Sequence, residues 1–224
     1  MMLPPSFNPS PWDSAIFGVG AYEITACSRE ALELTAHVPG HYTVRVDPLA
    51  SKQLLHEYGF YYCDTLIVPY CAVGRFSAFE HVAVRVSRDF DLDPLLVICN
   101  DAFSHGRFNR DFNLPRVQAD RRYENWLTQL HTAGKVYVLL YRDELAGFIA
   151  VDGNRLVLHA ITESLRGQGL AKFLWTPVCK ALFDHGYDEI MSSVSAANLA
   201  AVNLYATLGF RFRTPVDLYH RIVY

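Results

Sequence analysis

The sequence predicts an α/β (α+β) fold in which a mixed central β-sheet is flanked by helices. An apolar run of strand length at residues 156–161 leads through a glycine-containing loop into a helical pattern. Two alternating runs, at 135–141 and 145–151, predict an antiparallel hairpin directly before it. A short helical segment at 201–208 stops at Gly209, and a further strand pattern follows. Together these segments alternate as strands and helices of one sheet.

The loop between strand and helix has the composition of a phosphate-binding site. Gly167 and Gly169 allow the backbone to approach a ligand closely. The amides of residues 166–171 would lie at a helix N-terminus, whose unpaired donors and partial positive charge suit a phosphate. Arg166 adds a fixed positive charge and a planar fork of donors. We therefore expect this loop to bind a phosphate group.

The glycine pattern excludes two common phosphate loops. No Lys-Ser/Thr pair follows the second glycine, as a P-loop requires. Lys172 occupies the place of the third glycine of a dinucleotide-binding fingerprint. The pattern Arg166-x-x-Gly169-x-Ala171 instead resembles motif A of the GNAT family of N-acetyltransferases. In that family the motif holds the pyrophosphate of acetyl-coenzyme A.

A second segment resembles motif B of the same family. Its pattern is Asn198-x-x-Ala201-Val202-x-Leu204-Tyr205-x-x-Leu208-Gly209-Phe210. It follows motif A after an apolar strand candidate at residues 189–194, in the order and spacing of the family. The resemblance implies a GNAT fold, acetyl-CoA as co-substrate and N-acetyltransferase activity.

The resemblance also implies which residues contact acetyl-CoA. The backbone of residues 159–161 would pair with the pantetheine arm as an added strand does at a sheet edge. The predicted contacts are Ala160, Ile161, Arg166, Gly167, Gln168, Gly169, Leu170, Ala171, Asn198 and Tyr205.

Acetyl transfer from a thioester to an amine needs a neutral amine and benefits from an acid at the leaving thiolate. Tyr205 has the place of the family's motif B tyrosine, and a phenol is protonated at neutral pH. We expect Tyr205 to be this acid. His159, on the strand before motif A, and Glu163, at the start of the loop, are alternative bases. An amine that is already neutral would need neither.

The acceptor site is expected in the loop at residues 104–113. Arg107 could fork onto a phosphate or carboxylate, Phe108 could stack on a base or sugar, and His105 lies beside them. The patches at 12–19 and 102–108 resemble the branch of the family that acetylates TDP-linked amino-deoxysugars. That resemblance implies an amino sugar nucleotide as the small-molecule substrate.

The chain is predicted to hold two domains. Residues 79–224 form the GNAT domain, and residues 1–78 form a smaller, truncated GNAT-like half-domain. The segment 55–60 echoes 205–210, because each is a helix end, then Gly-Phe, then a strand. The N-terminal domain has no glycine loop for a cofactor.

The remaining elements follow from local patterns. The first dozen residues, rich in Pro and Ser, are expected to be irregular, and Pro177 either bends or breaks the helix after motif A. Helices are predicted at 28–37 with Ser28 as cap, 51–58, 94–103 with Asp93 as cap, and 115–131; strands are predicted at 21–25, 41–46, 60–70 and 82–86, with two strands over 209–224.

Composition limits the function classes. The net charge is -3 with both signs interspersed, so no nucleic acid partner is expected. No signal peptide or membrane-length apolar run is found, and five scattered cysteines indicate reduced thiols of a cytoplasmic protein. Nine histidines without a local metal-binding spacing predict no metal. The resemblance allows a homodimer through the closing strands.

Overall fold

The computed structural model describes residues 4–100 and 102–224, which form two compact units. The first unit comprises the described residues up to Leu66, with Ser104–Arg122 and Pro215–Tyr224. The second comprises the described residues of Ile67–Phe103, with Tyr123–Thr214. These units are assembled from segments that are not contiguous in the sequence, and the half-domain over residues 1–78 stays a prediction.

The strands alternate with helices along the chain. The strands are β1 (Phe7–Pro9), β2 (Ala21–Ile24), β3 (Gly40–Val46), β4 (Tyr61–Ala72), β5 (Val84–Ser87), β6 (Val136–Tyr141), β7 (Glu144–Asp152), β8 (Arg155–Ile161), β9 (Glu189–Ser192), β10 (Val194–Ser195) and β11 (Arg211–Val223). The helices are α1 (Pro11–Phe17), α2 (Arg29–Leu34), α3 (Gln53–Glu57), α4 (Leu92–Cys99), α5 (Arg116–Thr132), α6 (Ala171–Asp184) and α7 (Leu199–Thr207).

The first unit contains the strand order β1-β2-β3-β11. Strands β2 and β3 are parallel, whereas β1 and β11 pair antiparallel with their neighbours. The cap of α2 is confirmed, because the Ser28 hydroxyl accepts a hydrogen bond from the amide of Ala31 at 3.3 Å. The strand predicted at residues 41–46 is also confirmed, as β3.

The prediction of an irregular N-terminus was wrong. Residues Phe7–Pro9 pair with β2, and α1 begins directly afterwards at Pro11. A proline at the first helical position loses no hydrogen bond, since that amide has no partner inside a helix. The same composition that suggested a loop therefore supports a helix start.

The second unit contains the strand order β4-β9-β8-β7-β6-β5, with β8 and β9 parallel and the other described pairs antiparallel. Buried side chains of α6 and α7 form one hydrophobic cluster with the sheet, and those of α4 and of α5 from Tyr123 onward form another. The predicted mixed sheet flanked by helices is thus confirmed.

A bulge in β8 changes which side chains face which helices. Ala150 pairs with Leu158 but Val151 pairs with Leu156, so Val157 is an extra residue. Leu156 packs in the cluster of α6 and α7, whereas Leu158 packs in the cluster of α4 and α5. After the bulge, odd-numbered positions of β8 face α6 and α7.

Helix α6 passes through Pro177 without interruption. The Thr176 hydroxyl donates to the carbonyl of Lys172 at 2.8 Å and accepts from the amide of Phe79 at 3.0 Å. These bonds satisfy polar groups next to the proline. The sequence left open whether the helix bends or breaks at Pro177, and in the structure the helix does not break there.

Two element predictions need correction. Helix α4 begins at Leu92 with Asp91 at the N-cap position, not Asp93, and it ends at Cys99, before the predicted residue 103. The C-terminal residues form one strand, β11, rather than two, although Thr214 within it has a left-handed φ of 52°. No helix of the described residues has both the length and the apolar character needed to cross a membrane.

Candidate active site

Strands β8 and β9 pair only over a short distance. Their register joins Arg155 to Met191 and Leu156 to Ser192, and the Ser192 hydroxyl donates to the Leu156 carbonyl at 2.7 Å. Among the described residues, no pairing joins positions 157–161 to β9. This edge of β8 can therefore accept an extended ligand as an added strand.

The loop after β8 presents its backbone to solvent. Gly167 and Gly169 have φ values of 73° and 71°, a left-handed conformation that L side chains rarely adopt. Residues 166–169 are exposed, and Leu170 at the N-cap of α6 makes no side-chain cap. The first amides of α6 thus lie at a helix N-terminus without a side-chain cap, a position that suits an anion.

Arg166 and Gln168 fold back onto the loop. The Nε of Arg166 donates to the carbonyl of Ile161 at 3.0 Å, and the side-chain amide of Gln168 donates to the carbonyl of Ser164 at 2.6 Å. Arg166 is exposed and carries further N–H donors beyond Nε. The bond to Ile161 ties this guanidinium to the end of β8.

Helix α7 is fixed at its start by Asn198. The Oδ1 of Asn198 accepts a hydrogen bond from the amide of Ala201 at 3.1 Å, which makes this side chain the N-cap. Tyr205 lies in the following turns, with 0% of its surface exposed. Asn198 thereby fixes the helix that carries Tyr205.

Tyr205 and His159 form a hydrogen-bonded pair, which is called the dyad below. The phenol oxygen of Tyr205 lies 3.0 Å from Nε2 of His159. The rings of His159 and Trp175 pack edge to face with their centroids 5.2 Å apart, and the rings of Tyr205 and Phe210 pack with their centroids 4.8 Å apart. Two residues predicted from separate motifs therefore share one contact.

Burial changes the pKa values of both members of the dyad. It raises the pKa of the Tyr205 phenol, and the side chains of Ser192 and Trp175 offset part of that shift. Burial lowers the pKa of His159 to about 4. At neutral pH the pair consists of a neutral phenol, which can donate a proton, and a neutral imidazole, which is a weak base.

Trp175 and Ser192 were not among the predicted site residues. Trp175 lies within the stretch that carries motif A, but a tryptophan in a helical pattern indicates a core position in the first instance. Ser192 ends β9, and its proximity to Tyr205 follows from the point where β8 and β9 separate. Glu163, the alternative base, is exposed and begins a 3-10 turn.

The predicted acceptor residues belong to the first unit. His105 is exposed, whereas Phe108 is only 3% exposed and packs with Phe17 in a small cluster. The guanidinium groups of Arg107 and Arg122 lie over the Phe108 ring at 4.5 and 4.2 Å from its centroid. The ring is therefore covered by its own chain, and in this conformation it has no open face for the predicted stacking contact.

Comparison with known proteins shows that part of the chain matches a family model. Residues 103–210 match the model described as "Acetyltransferase (GNAT) family". No characterised protein sequence matches the chain significantly.

Solved structures share the fold at low sequence identity. A GCN5-related N-acetyltransferase from Sphaerobacter thermophilus aligns with a TM-score of 0.59 and 12% identity over 82% of this chain and 60% of the other. A GNAT-family acetyltransferase from Colwellia psychrerythraea aligns with a TM-score of 0.57 and 15% identity over 90% of this chain and 76% of the other. A tandem GNAT protein of the clavulanic acid biosynthesis pathway aligns with a TM-score of 0.55 and 12% identity over 92% of this chain and 76% of the other. The chain thus spans less than two thirds of the first of these proteins.

Proposed function

We propose that residues 103–210, which match the GNAT family model, form an acetyltransferase domain with acetyl-CoA as its co-substrate. The protein transfers the acetyl group of acetyl-CoA to the amino group of a nucleotide-linked amino-deoxysugar. The amine attacks the thioester carbonyl directly, and the products are an amide and free coenzyme A.

The observation that carries this proposal is the dyad of Tyr205 and His159 beside the open edge of β8. When the tetrahedral intermediate collapses, the sulfur leaves as a thiolate and gains a proton from the Tyr205 phenol. The phenol hydrogen is free to point at the sulfur when His159 carries its own ring hydrogen on Nε2 and donates it to the phenol oxygen. His159 then orients the acid.

His159 is a poor candidate for the base. With a pKa of about 4, its imidazole has little affinity for the proton of an ammonium group. We propose that the amine reaches the site neutral and that the proton it loses after attack leaves through water towards the exposed Glu163. A proton returned through water then restores the Tyr205 phenol. His159 is in this view a positioning residue for Tyr205.

The loop and the strand edge are proposed to bind different parts of acetyl-CoA. The amides at the start of α6 and the guanidinium of Arg166 bind the pyrophosphate, because both supply donors and positive charge. The free edge of β8 at residues 159–161 pairs with the amide groups of the pantetheine arm.

The nucleotide amino sugar is proposed from the resemblance of two patches, at 12–19 and 102–108, to bacterial TDP-fucosamine acetyltransferase. His105 and Arg107 would bind the phosphates of such a substrate. Phe108 has a different role from the one predicted, since its buried ring anchors this loop against Phe17.

We also propose that the protein works in the cytoplasm. All five cysteines are free and four of them are buried, which suits a reducing compartment. A homodimer stays a prediction.

A thiol-release assay tests the proposal. The purified protein and acetyl-CoA are mixed with TDP- and UDP-linked 4-amino-4,6-dideoxy sugars, with spermidine and a lysine peptide as competing acceptor classes. Release with one nucleotide amino sugar supports the proposal. Release only with spermidine or the peptide retains the acetyltransferase and rejects the sugar. Binding of acetyl-CoA without release for any acceptor would indicate a non-catalytic acyl-CoA sensor.

A further inference from the structure

Three side chains of the first unit, His41, Asp111 and His220, bring one ligand atom each to a common point, and all three are buried. We propose that these residues bind a divalent zinc ion that is separate from the acetyl-transfer chemistry. The ion cross-links β3, β11 and the segment that contains the predicted acceptor loop.

The sheet brings the two histidines together. In the antiparallel pairing of β3 and β11, His41 is opposite Ile222 and His220 is opposite Thr43. His41 and His220 are therefore diagonal neighbours on one face of the sheet, close enough for long side chains to meet. Asp111 reaches the same point from the loop before α5.

Two of the three distances between the ligand atoms match a tetrahedral metal site, and the third is shorter. Oδ2 of Asp111 lies 2.7 Å from Nδ1 of His220 and 3.2 Å from Nε2 of His41, and the two ring nitrogens are 3.3 Å apart. Zinc bonds of about 2.0–2.1 Å place neighbouring ligands of a tetrahedron roughly 3.3 Å apart. Two imidazole nitrogens and one carboxylate are a ligand set of zinc and similar ions, whereas magnesium and calcium prefer oxygen alone.

The other oxygen of Asp111 is already occupied. Its Oδ1 accepts hydrogen bonds from the Tyr61 phenol at 2.8 Å and from the amide of Asn113 at 3.0 Å. Such bonds orient a metal-binding carboxylate and leave one oxygen for the ion. Tyr61 and Asn113 thus supply the outer support that a metal site requires.

Hydrogen bonding alone explains the cluster less well. Oδ2 can accept a hydrogen bond from each of the two rings, but both ring nitrogens then carry a hydrogen, and the 3.3 Å contact between His41 and His220 is left without a bonding role. A cation at the common point instead receives one lone pair from each of the three atoms. Arg107 acts electrostatically on His220 and opposes a cation, so we expect weaker binding than at an all-thiolate site.

The site would lie away from solvent, because its three protein ligands are almost fully buried. Metal bound to the folded state stabilises that state. Asp111 follows directly after the loop of His105, Arg107 and Phe108, so the ion would also fix the position of that loop. The sequence predicted no metal because it was searched for local spacings, whereas Asp111 is 70 and 109 residues from the two histidines.

Metal content of the untagged full-length protein tests the proposal. The protein is dialysed against EDTA, then against Zn²⁺, and its metal is measured by mass spectrometry beside its melting temperature. We expect about one zinc per chain and a higher melting temperature with zinc than with EDTA. Cobalt in place of zinc should give the absorption of a tetrahedral site without a thiolate charge-transfer band. Zinc content near zero together with a melting temperature that neither zinc nor EDTA changes would overturn the proposal.

Variants assign the metal to the cluster. Asp111→Asn and His41→Gln should each lose the bound zinc and the zinc-dependent shift in melting temperature. His185→Gln and Cys27→Ser remove an exposed imidazole and the exposed thiol, and both should retain the zinc. If these two controls lose it, the metal is bound at the surface and the site is rejected. The cobalt spectrum of the unaltered protein decides the matter even if the cluster variants fold poorly.

Discussion

Replacement of Tyr205 by phenylalanine removes one oxygen atom from the proposed site and leaves the ring in place. The ring is fully buried and packs on Phe210, so its shape is retained in the variant. The proposed acid is lost, and general acid catalysis contributes typically about 10²–10⁴-fold. We therefore expect kcat to fall by about 100-fold or more, while the KM for acetyl-CoA stays nearly unchanged.

The same substitution also has a measurable cost in stability. It leaves Nε2 of His159 without its partner at 3.0 Å, and an unsatisfied buried polar group costs about 1–3 kcal/mol. For a chain of 224 residues each kcal/mol lowers the melting temperature by about 2–4 °C. The variant should thus melt lower than the unaltered protein but remain folded at the assay temperature.

The assay measures thiol release at saturating acetyl-CoA and acceptor, with circular dichroism melting of the same samples. Tyr187→Phe is the matched control, because Tyr187 belongs to the same unit, is partly exposed and packs its ring on His185. This control should keep its kcat. A Tyr205→Phe enzyme that is folded and retains kcat within about twofold would refute the acid role, and Tyr205 would then be a packing residue.

Three further predictions concern the same unit. The pKa of His159 is 6.5 in an ordinary environment and about 4 in the fold, so between these values the unfolded chain binds more protons. The free energy of unfolding should therefore fall as pH is lowered from 6.5 to 4. The melting temperature of His159→Gln should depend less steeply on pH in this range than that of the unaltered protein. Equal slopes of melting temperature against pH would contradict the lowered pKa of His159. Arg166→Gln should raise the KM for acetyl-CoA about tenfold with little change in kcat, and an unchanged KM would remove Arg166 from the proposed pyrophosphate site. Gly169→Ala meets no atom within 4 Å and should mainly affect acetyl-CoA binding, whereas a Cβ at Gly209 would lie 2.2 Å from the Arg75 carbonyl. Gly209→Ala should therefore lower the melting temperature much more than Gly169→Ala, and comparable melting curves would contradict this.

Local patterns in the sequence predicted those parts of the structure that depend on neighbouring residues. The strand–loop–helix unit around Gly167 and Gly169, the cap at Ser28 and the stop at Gly209 each follow from a few adjacent positions. The N-terminal strand β1 was missed because its pairing with β2 satisfies a polar, proline-rich segment that has no strand pattern of its own.

The sequence allowed the residues of the candidate site to be predicted, but not the contacts between them. Tyr205 and His159 were identified on separate grounds, and their contact depends on the packing of α7 against β8. The same limit applies to Phe108, whose aromatic side chain suggested a ligand surface. Whether such a ring faces solvent or packs against Phe17 depends on a segment almost a hundred residues away, which no local pattern reports.

The extra residue in β8 lets this strand differ in length by one residue without losing the candidate site. Leu156 and His159 face the same helices although three positions separate them, because Val157 is accommodated in the bulge. Deletion of Val157 would restore regular alternation, with Leu156 opposite Val151, Leu158 opposite Ala150 and His159 still opposite Ile149. Such a deletion should therefore straighten the strand and leave His159 facing Tyr205.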